Sequence, residues 1–140
     1  MNAKEYLKQV KNVDNLLRSI ATQIEKNRSL ATYTSPALNP SGSHSSADPT
    51  KGSKLENMAI DIMDLEEQKQ KQAARLKEIK KDVTETINSI NNLSVQFILE
   101  ERYLLCRSWN SIAEETGFSK SYLFHMHSTG LQLVESIINR

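Results

Sequence analysis

Apolar side chains recur at alternating steps of four and three along the start of the chain. They are Tyr6, Val10, Val13, Leu17, Ile20 and Ile24. Charged and amide side chains fill most of the positions between them. A stripe with this spacing is the seam through which one helix packs against another in a coiled coil. The pattern therefore predicts a coiled-coil helix over residues 1–31.

A second, longer apolar stripe occupies residues 54–92. Its members are Leu55, Met58, Ile62, Leu65, Leu76, Ile79, Val83 and Ile90. The two stripes are roughly 20 and 35 residues long, which at about 1.5 Å of rise per residue gives about 30 and 50 Å. The first helix can therefore cover only part of the second, and the C-terminal segment or a second chain must cover the rest. We predict that the positions around Leu76, Ile79 and Val83 are free for pairing in a homodimer, although the pattern leaves intrachain and interchain pairing open.

Residues 32–53 separate the two stripes and have a different composition. They are rich in Ser, Thr, Pro and Gly, with prolines at positions 36, 40 and 49. Such a segment buries too little apolar area to offset the loss of chain entropy on folding. The composition predicts a flexible linker. Further on, Asn91, Asn92 and Ser94 are expected to end the long helix, because their side chains compete for backbone hydrogen bonds.

Residues 93–140 show the pattern of two helices joined by a tight glycine turn. Ile112 and Ala113 form an apolar pair on a short helix. Gly117 follows where a left-handed residue is needed, and Ser119 stands where the next helix needs an N-cap. Apolar residues then recur at helical spacing, at Leu123, Met126, Leu131, Val134 and Ile138. The sequence thus predicts an all-α protein whose C-terminal three-helix domain carries a helix-turn-helix, the geometry that places a helix in the DNA major groove.

This segment resembles region four of bacterial sigma factors and, more closely, the small ArpU/RinA-like late transcription regulators of phages and prophages. The residues that carry the resemblance are Arg102, Tyr103, Ser108, Trp109, Ile112, Ala113, Gly117, Ser119, His127 and Leu131. The opening residues 1–7 and the two helices around a Ser/Pro/Gly-rich segment also fit, so the resemblance spans nearly the whole chain. It implies a DNA-binding regulator of late genes that acts on double-stranded promoter DNA, with host RNA polymerase as a further partner. The chain lacks the other regions of a sigma factor, so an accessory regulator is expected.

The resemblance assigns DNA contact to the first turns of the second helix of the motif. The residues there are Lys120, Ser121, Tyr122, Phe124 and His125. Arg107 joins them because a cation just before the first helix of the motif could meet a phosphate, the alternative being an ordinary solvated arginine. Sigma relatives usually carry arginines where this chain has Tyr122 and Phe124. This departure favours either fewer phosphate contacts and more apolar base contacts, such as thymine methyl groups, or a motif that has become a protein-binding module.

Charge sets a limit on the affinity for DNA. The whole chain has a formal net charge of +1, and residues 94–140 hold four basic and five acidic side chains, a net charge of −1. Because phosphate neutralisation supplies most non-specific affinity, one such domain should bind DNA weakly. A homodimer would raise the effective concentration of the second domain. Two other functions stay open, a protein–protein adaptor and a terminase small subunit, which also combines a helix-turn-helix with a coiled coil.

Four residues outside the proposed contact set are predicted to be structural. Trp109 should wedge into the core beside Arg102 and Tyr103, and His127 should lie on the buried flank of its helix. Gly130 costs about 1 kcal/mol against alanine in a helix, which a close helix crossing would explain. Cys106 is expected to be a small buried hydrophobe.

Nothing in the sequence indicates catalysis. His125 and His127 are two residues apart, so on a helix they point to different sides and cannot chelate one metal ion well. The chain has a single cysteine and no phosphate-binding glycine loop or acid–base constellation. We therefore expect a non-enzymatic protein without cofactor or metal. It has neither a long apolar run nor the pattern of a signal peptide, and is expected to be cytoplasmic.

Overall fold

Every regular secondary-structure element in the part of the chain that the computed structural model describes is a helix. That part comprises the backbone of residues 1–33 and 49–140 and the side chains of residues 1–32 and 54–140. The elements are α1 (Ala3–Tyr33), α2 (Pro49–Asn88), α3 (Leu93–Leu99), a π-helical segment (Glu100–Leu104), α4 (Trp109–Thr116) and α5 (Lys120–Ile138). The all-α prediction is confirmed for these residues. None of the described helices combines the length and apolar character needed to cross a membrane.

The helices extend into both ends of the segment predicted to be a linker, residues 32–53. α1 continues to Tyr33, and α2 begins at Pro49, so residues 49–53 are helical. Proline is tolerated in the first turn of a helix because the amide it lacks has no intrahelical partner there, and because its φ suits the helix. The rest of the linker prediction, residues 34–48, lies outside the described residues.

The chain divides into two compact units that cut across the predicted segments. The first unit consists of Met1–Asp14 and Arg75–Arg140, and the second of Asn15–Ala74. The main core of the first unit draws buried side chains from both long helices, from α3 and the π-helical segment, and from α5. They are Ala3, Tyr6, Leu7, Val10, Val83, Ile87, Ile90, Val95, Leu99, Tyr103 and Val134. The segment 93–140 therefore shares its largest core cluster with the ends of α1 and α2.

In the second unit, the remaining parts of α1 and α2 are paired. Ile20 and Ile24 are buried, and Arg28 forms an ion pair with Glu66. The side chains of Arg28 and Glu66 are 59% and 38% exposed, so solvent screens the pair and it adds little stability. On α2, Ile60 and Met63 are exposed.

The prediction that Leu76, Ile79 and Val83 are free for a second chain is wrong. Val83 is fully buried in the core of the first unit, and Leu76 and Ile79 are half-buried against that core. The first turns of α1 and the C-terminal helices cover this part of α2. The Tyr6 hydroxyl also donates a hydrogen bond to Oδ2 of Asp82 at 2.6 Å. Pairing in this region is therefore within one chain.

The start of α1 is capped by its own side chains and by one hydrogen bond from α5. Oδ1 of Asn2 accepts from the Glu5 amide at 2.8 Å, and Oε2 of Glu5 accepts from the Asn2 amide at 3.2 Å. This reciprocal arrangement is a capping box. The Ala3 amide donates to Oε2 of Glu135 on α5 at 2.6 Å. The carboxylate of Glu135 thus satisfies one of the amides that a helix start leaves unpaired.

α3 and α5 approach closely at Gly130, as predicted. A Cβ atom on Gly130 would lie 3.0 Å from Cγ1 of Val95 and 3.2 Å from both Cδ atoms of Leu99. A larger side chain would push the helices apart and open the core between them. The close packing compensates for the low helix propensity of glycine.

The connection from α4 to α5 follows the predicted local chemistry. Gly117 ends α4 in the left-handed conformation, with φ of +76°. Oγ of Ser119 accepts from the Tyr122 amide at 3.1 Å and so caps α5, as Oγ of Ser108 caps α4. A second core cluster of Ile98, Ile112 and Leu123 holds α3, α4 and α5 together. The predictions for Gly117 and Ser119 are confirmed.

Candidate functional site

The first two turns of α5, with the turn before them, form an exposed surface that we call the α5 face. It consists of Phe118, Lys120, Ser121, Tyr122, Phe124 and His125, all of which are exposed. Leu123, in the middle of this stretch, is fully buried in the second core cluster. The core thus fixes the position of the helix and leaves these six side chains open to a partner. Five of the six residues assigned from the sequence lie on this face.

Three aromatic rings give the α5 face its chemical character. Phe118, Tyr122 and Phe124 are 41%, 38% and 46% exposed. The rings of Phe118 and Tyr122 meet edge-on with centroids 4.8 Å apart. Sequence reasoning did not assign Phe118 to the site. Its position just before the N-cap Ser119 was the available signal, because an apolar residue there commonly packs against the first turns of the helix.

Arg107, the sixth residue assigned from the sequence, is engaged elsewhere. It forms an ion pair with Glu115, and its Nη1 lies 3.2 Å from Oε2 of Glu101 without the geometry of a hydrogen bond. Its carbonyl oxygen accepts from Nη1 of Arg102 at 2.9 Å. Two carboxylates thus compete with any phosphate for this guanidinium group. The structure does not bring Arg107 to the α5 face as a free cation.

Trp109 supports the α5 face from behind. Its half-buried ring packs against the second core cluster, and the ring of Phe124 lies edge-on to it at 5.3 Å. The guanidinium carbon of Arg102 lies 5.0 Å from the centre of the Trp109 ring, and His127 meets that ring edge-on at 4.8 Å. Trp109 packs beside Arg102 as predicted, but its ring is half-buried, whereas a position in the core was expected.

His127 has the structural role expected for it. Its Nε2 lies 2.6 Å from the hydroxyl oxygen of Tyr103, a hydrogen bond, and the two rings are stacked with centroids 5.7 Å apart. Burial and, to a smaller extent, the positive charges of Lys4 and Arg102 together lower the pKa of His127 to about 4. Burial also raises the pKa of Tyr103. At neutral pH the folded protein therefore holds His127 as a neutral ring.

This lowered pKa predicts a pH dependence of stability. Protonation of His127 favours the unfolded state, where its pKa returns to about 6.5. The stability that this histidine contributes is complete above pH 6.5 and decreases as the pH falls towards 4. We expect wild type to lose more unfolding free energy than His127→Gln between pH 7.5 and pH 4.5 in urea titrations, because carboxylates titrate equally in both proteins. His125→Gln, at an exposed position, should follow wild type, and a constant difference between wild type and His127→Gln would contradict the prediction.

Cys106 adopts an unusual backbone conformation after the π-helical segment. Its φ is +55°, in the left-handed region that residues with a side chain rarely adopt. Its side chain is half-buried against the main core, and Sγ points to the Tyr103 carbonyl oxygen at 3.6 Å. Cys106 was expected to be buried, and its side chain is half-buried. Nothing in the sequence predicted the left-handed turn at this residue. This turn redirects the chain into α4.

Within the side chains that the structure describes, no three His, Cys, Asp or Glu residues are grouped so that they could hold a metal ion. Comparisons of the chain with models of protein families, with curated proteins and with solved structures give no significant match.

Proposed function

We propose that α3, α4 and α5 form a helix-turn-helix domain that binds double-stranded DNA, and that the protein is a phage- or prophage-type transcription regulator acting at promoters. The α5 face is the observation that supports this function best. It offers six side chains that packing leaves exposed, on a capped helix whose other side is anchored by Leu123. A helix presented in this way fits the major groove, which is about 12 Å wide.

The side chains of the α5 face have separate roles in this proposal. Ser121, Tyr122 and His125 carry hydrogen-bonding groups for base edges. Lys120, in the first turn of α5, would contact a phosphate, which the positive end of the helix dipole also attracts. α4 would cross the DNA backbone and set the angle at which α5 enters the groove.

Because the α5 face carries little positive charge, the proposal includes a homodimer. With Arg107 paired to two glutamates, Lys120 is the one lysine or arginine on the α5 face. A single domain should therefore bind DNA weakly, and a homodimer would gain affinity through avidity. Because Val83 is buried within the chain, the interface of such a dimer has to lie elsewhere. Ile60 and Met63 are exposed apolar residues of the second unit.

A protein–protein adaptor is the second candidate function, and the aromatic character of the α5 face favours it. Tyr and Phe are enriched in protein interfaces, and Phe118, Tyr122 and Phe124 are all partly exposed. Host RNA polymerase or another phage protein would be the partner. Substitutions on the α5 face would then abolish binding of a protein while no DNA sequence is bound specifically.

Selection of random DNA duplexes by the full chain, followed by fluorescence anisotropy, tests the DNA-binding proposal. The double variant Lys120→Ala, His125→Ala should bind the selected duplex at least about tenfold more weakly, because a base-edge contact is worth about 1–3 kcal/mol. Both side chains are exposed, so the melting temperature should stay close to that of wild type.

A matched control removes one exposed lysine and one exposed polar side chain away from the α5 face. The double variant Lys77→Ala, Gln132→Ala does so, with Lys77 on α2 and Gln132 on the C-terminal half of α5. It should bind as wild type does. Unchanged affinity of the Lys120 and His125 double variant would show that α5 does not read the DNA.

A further inference from the structure

We infer that the α5 face recognises thymine methyl groups through its aromatic rings, so that DNA affinity depends on those methyl groups more than on salt. This inference rests on the DNA-binding function proposed above, and it names the chemical feature of the duplex that the surface fits. Three observations support it: the exposed aromatic area, the support of the rings from behind, and the scarcity of free positive charge.

The first observation is the kind of surface that remains exposed. Phe118, Tyr122 and Phe124 each leave between 38% and 46% of their surface open, within seven consecutive residues. Burying such rings releases water from apolar surface, which drives binding without any ion pair. In the major groove, the thymine C5-methyl group is the apolar feature of the base edges, and phenylalanine is among the side chains that contact it.

The second observation is that neighbouring groups already hold the rings in place. The ring of Phe124 packs edge-on against Trp109, which in turn contacts the Arg102 guanidinium and the ring of His127. Phe118 is held against Tyr122. A side chain that is ordered before binding loses less conformational entropy on binding. The free protein therefore presents two ordered aromatic groups on the two flanks of the α5 face, Phe118 with Tyr122 and Phe124 on Trp109.

The third observation concerns charge. Lys120 is the one lysine or arginine of the α5 face, and the Arg107 guanidinium is shared by Glu101 and Glu115. Each neutralised phosphate contributes about −0.9 to the slope of log affinity against log salt concentration. A face with one such contact predicts a slope of about −1 for each bound chain. Most of the specific affinity then has to come from base contacts.

Replacement of thymine by deoxyuridine in the selected duplex tests this inference, because deoxyuridine keeps the pairing groups and lacks only the methyl group. The full chain should bind the deoxyuridine duplex about fourfold more weakly for each contacted methyl group, the factor that corresponds to about 0.8 kcal/mol per buried CH₂. Phe124→Ala should reduce this discrimination. Phe97→Ala is the matched control, since Phe97 is 39% exposed on α3 and lies outside the α5 face.

The possible results distinguish failure of the inference from failure of the DNA-binding proposal on which it rests. If no duplex is enriched by the full chain, the DNA-binding proposal fails, and the inference fails with it. If a duplex is bound equally in its thymine and deoxyuridine forms, or with a salt slope several times steeper than −1, DNA binding stands and the inference is overturned. Phe118→Ala serves as a second variant should Phe124→Ala melt below the assay temperature. The inference is supported if a folded variant of the α5 face no longer prefers the thymine duplex to the deoxyuridine duplex. Phe97→Ala should keep that preference.

Discussion

Replacing Ile112 by alanine is expected to lower the free energy of unfolding by about 2–5 kcal/mol. Ile112 is fully buried, and its cluster contains only two other fully buried residues, Ile98 and Leu123. Loss of its side chain would leave a cavity at the point where α4 meets α5. Since small domains are stable by only about 5–15 kcal/mol, the change removes a large fraction of the total.

Urea unfolding followed by circular dichroism measures this effect. Leu105→Ala is the matched control, because Leu105 is 61% exposed and its loss should change stability by about 0.5 kcal/mol or less. Equal unfolding midpoints for Ile112→Ala and wild type would mean that Ile112 does not pack between the helices. The α5 face would then lack its support.

Leu7→Ala is expected to destabilise the C-terminal helices by a similar amount, although Leu7 lies at the other end of the chain. Leu7 is fully buried in the cluster that contains Val95, Leu99 and Val134. Removing three carbon atoms there costs about 2–5 kcal/mol. Trp109, the single tryptophan, lies in the same compact unit and reports on it by fluorescence. Its unfolding transition should move to a lower urea concentration.

Leu16→Ala provides the comparison, because Leu16 lies on the same helix and is exposed. Its effect should be small. If Leu7→Ala left the Trp109 transition unchanged, the C-terminal helices would fold without α1. That result would mean that residues 93–140 form an independent domain, as predicted from the sequence.

Features set by local chemistry were predictable from the sequence. The left-handed Gly117, the Ser119 cap and the alternation of buried and exposed residues on α5 depend on residues within a few positions of one another. Rules for caps and helical spacing act over that range. Gly130 was also predictable, because a glycine inside a helix needs a packing reason.

Features that depend on distant residues were not predictable. An apolar stripe shows that Val83 is buried but not by which part of the chain. The contact between Ala3 and Glu135 joins residues 132 positions apart. The pairing of Arg107 with Glu101 and Glu115 depends on the π-helical segment and on the φ of Cys106, neither of which has a sequence signature. Arg107 was therefore assigned to DNA contact although its guanidinium group is engaged by these carboxylates.

The capping of α1 by Glu135 has a consequence for the order of folding during synthesis. At about 5–20 residues per second, roughly 7–26 s pass between translation of Ala3 and of Glu135. Throughout that interval Leu7 and Val10 lack the C-terminal part of their core and are available to chaperones. Loop-closure entropy rises only slowly with loop length, so the long separation delays this contact more than it weakens it. The core side chains among residues 3–10 are thus fully buried only long after they are made, and α5 reaches its final support only after its own C-terminal half has been made.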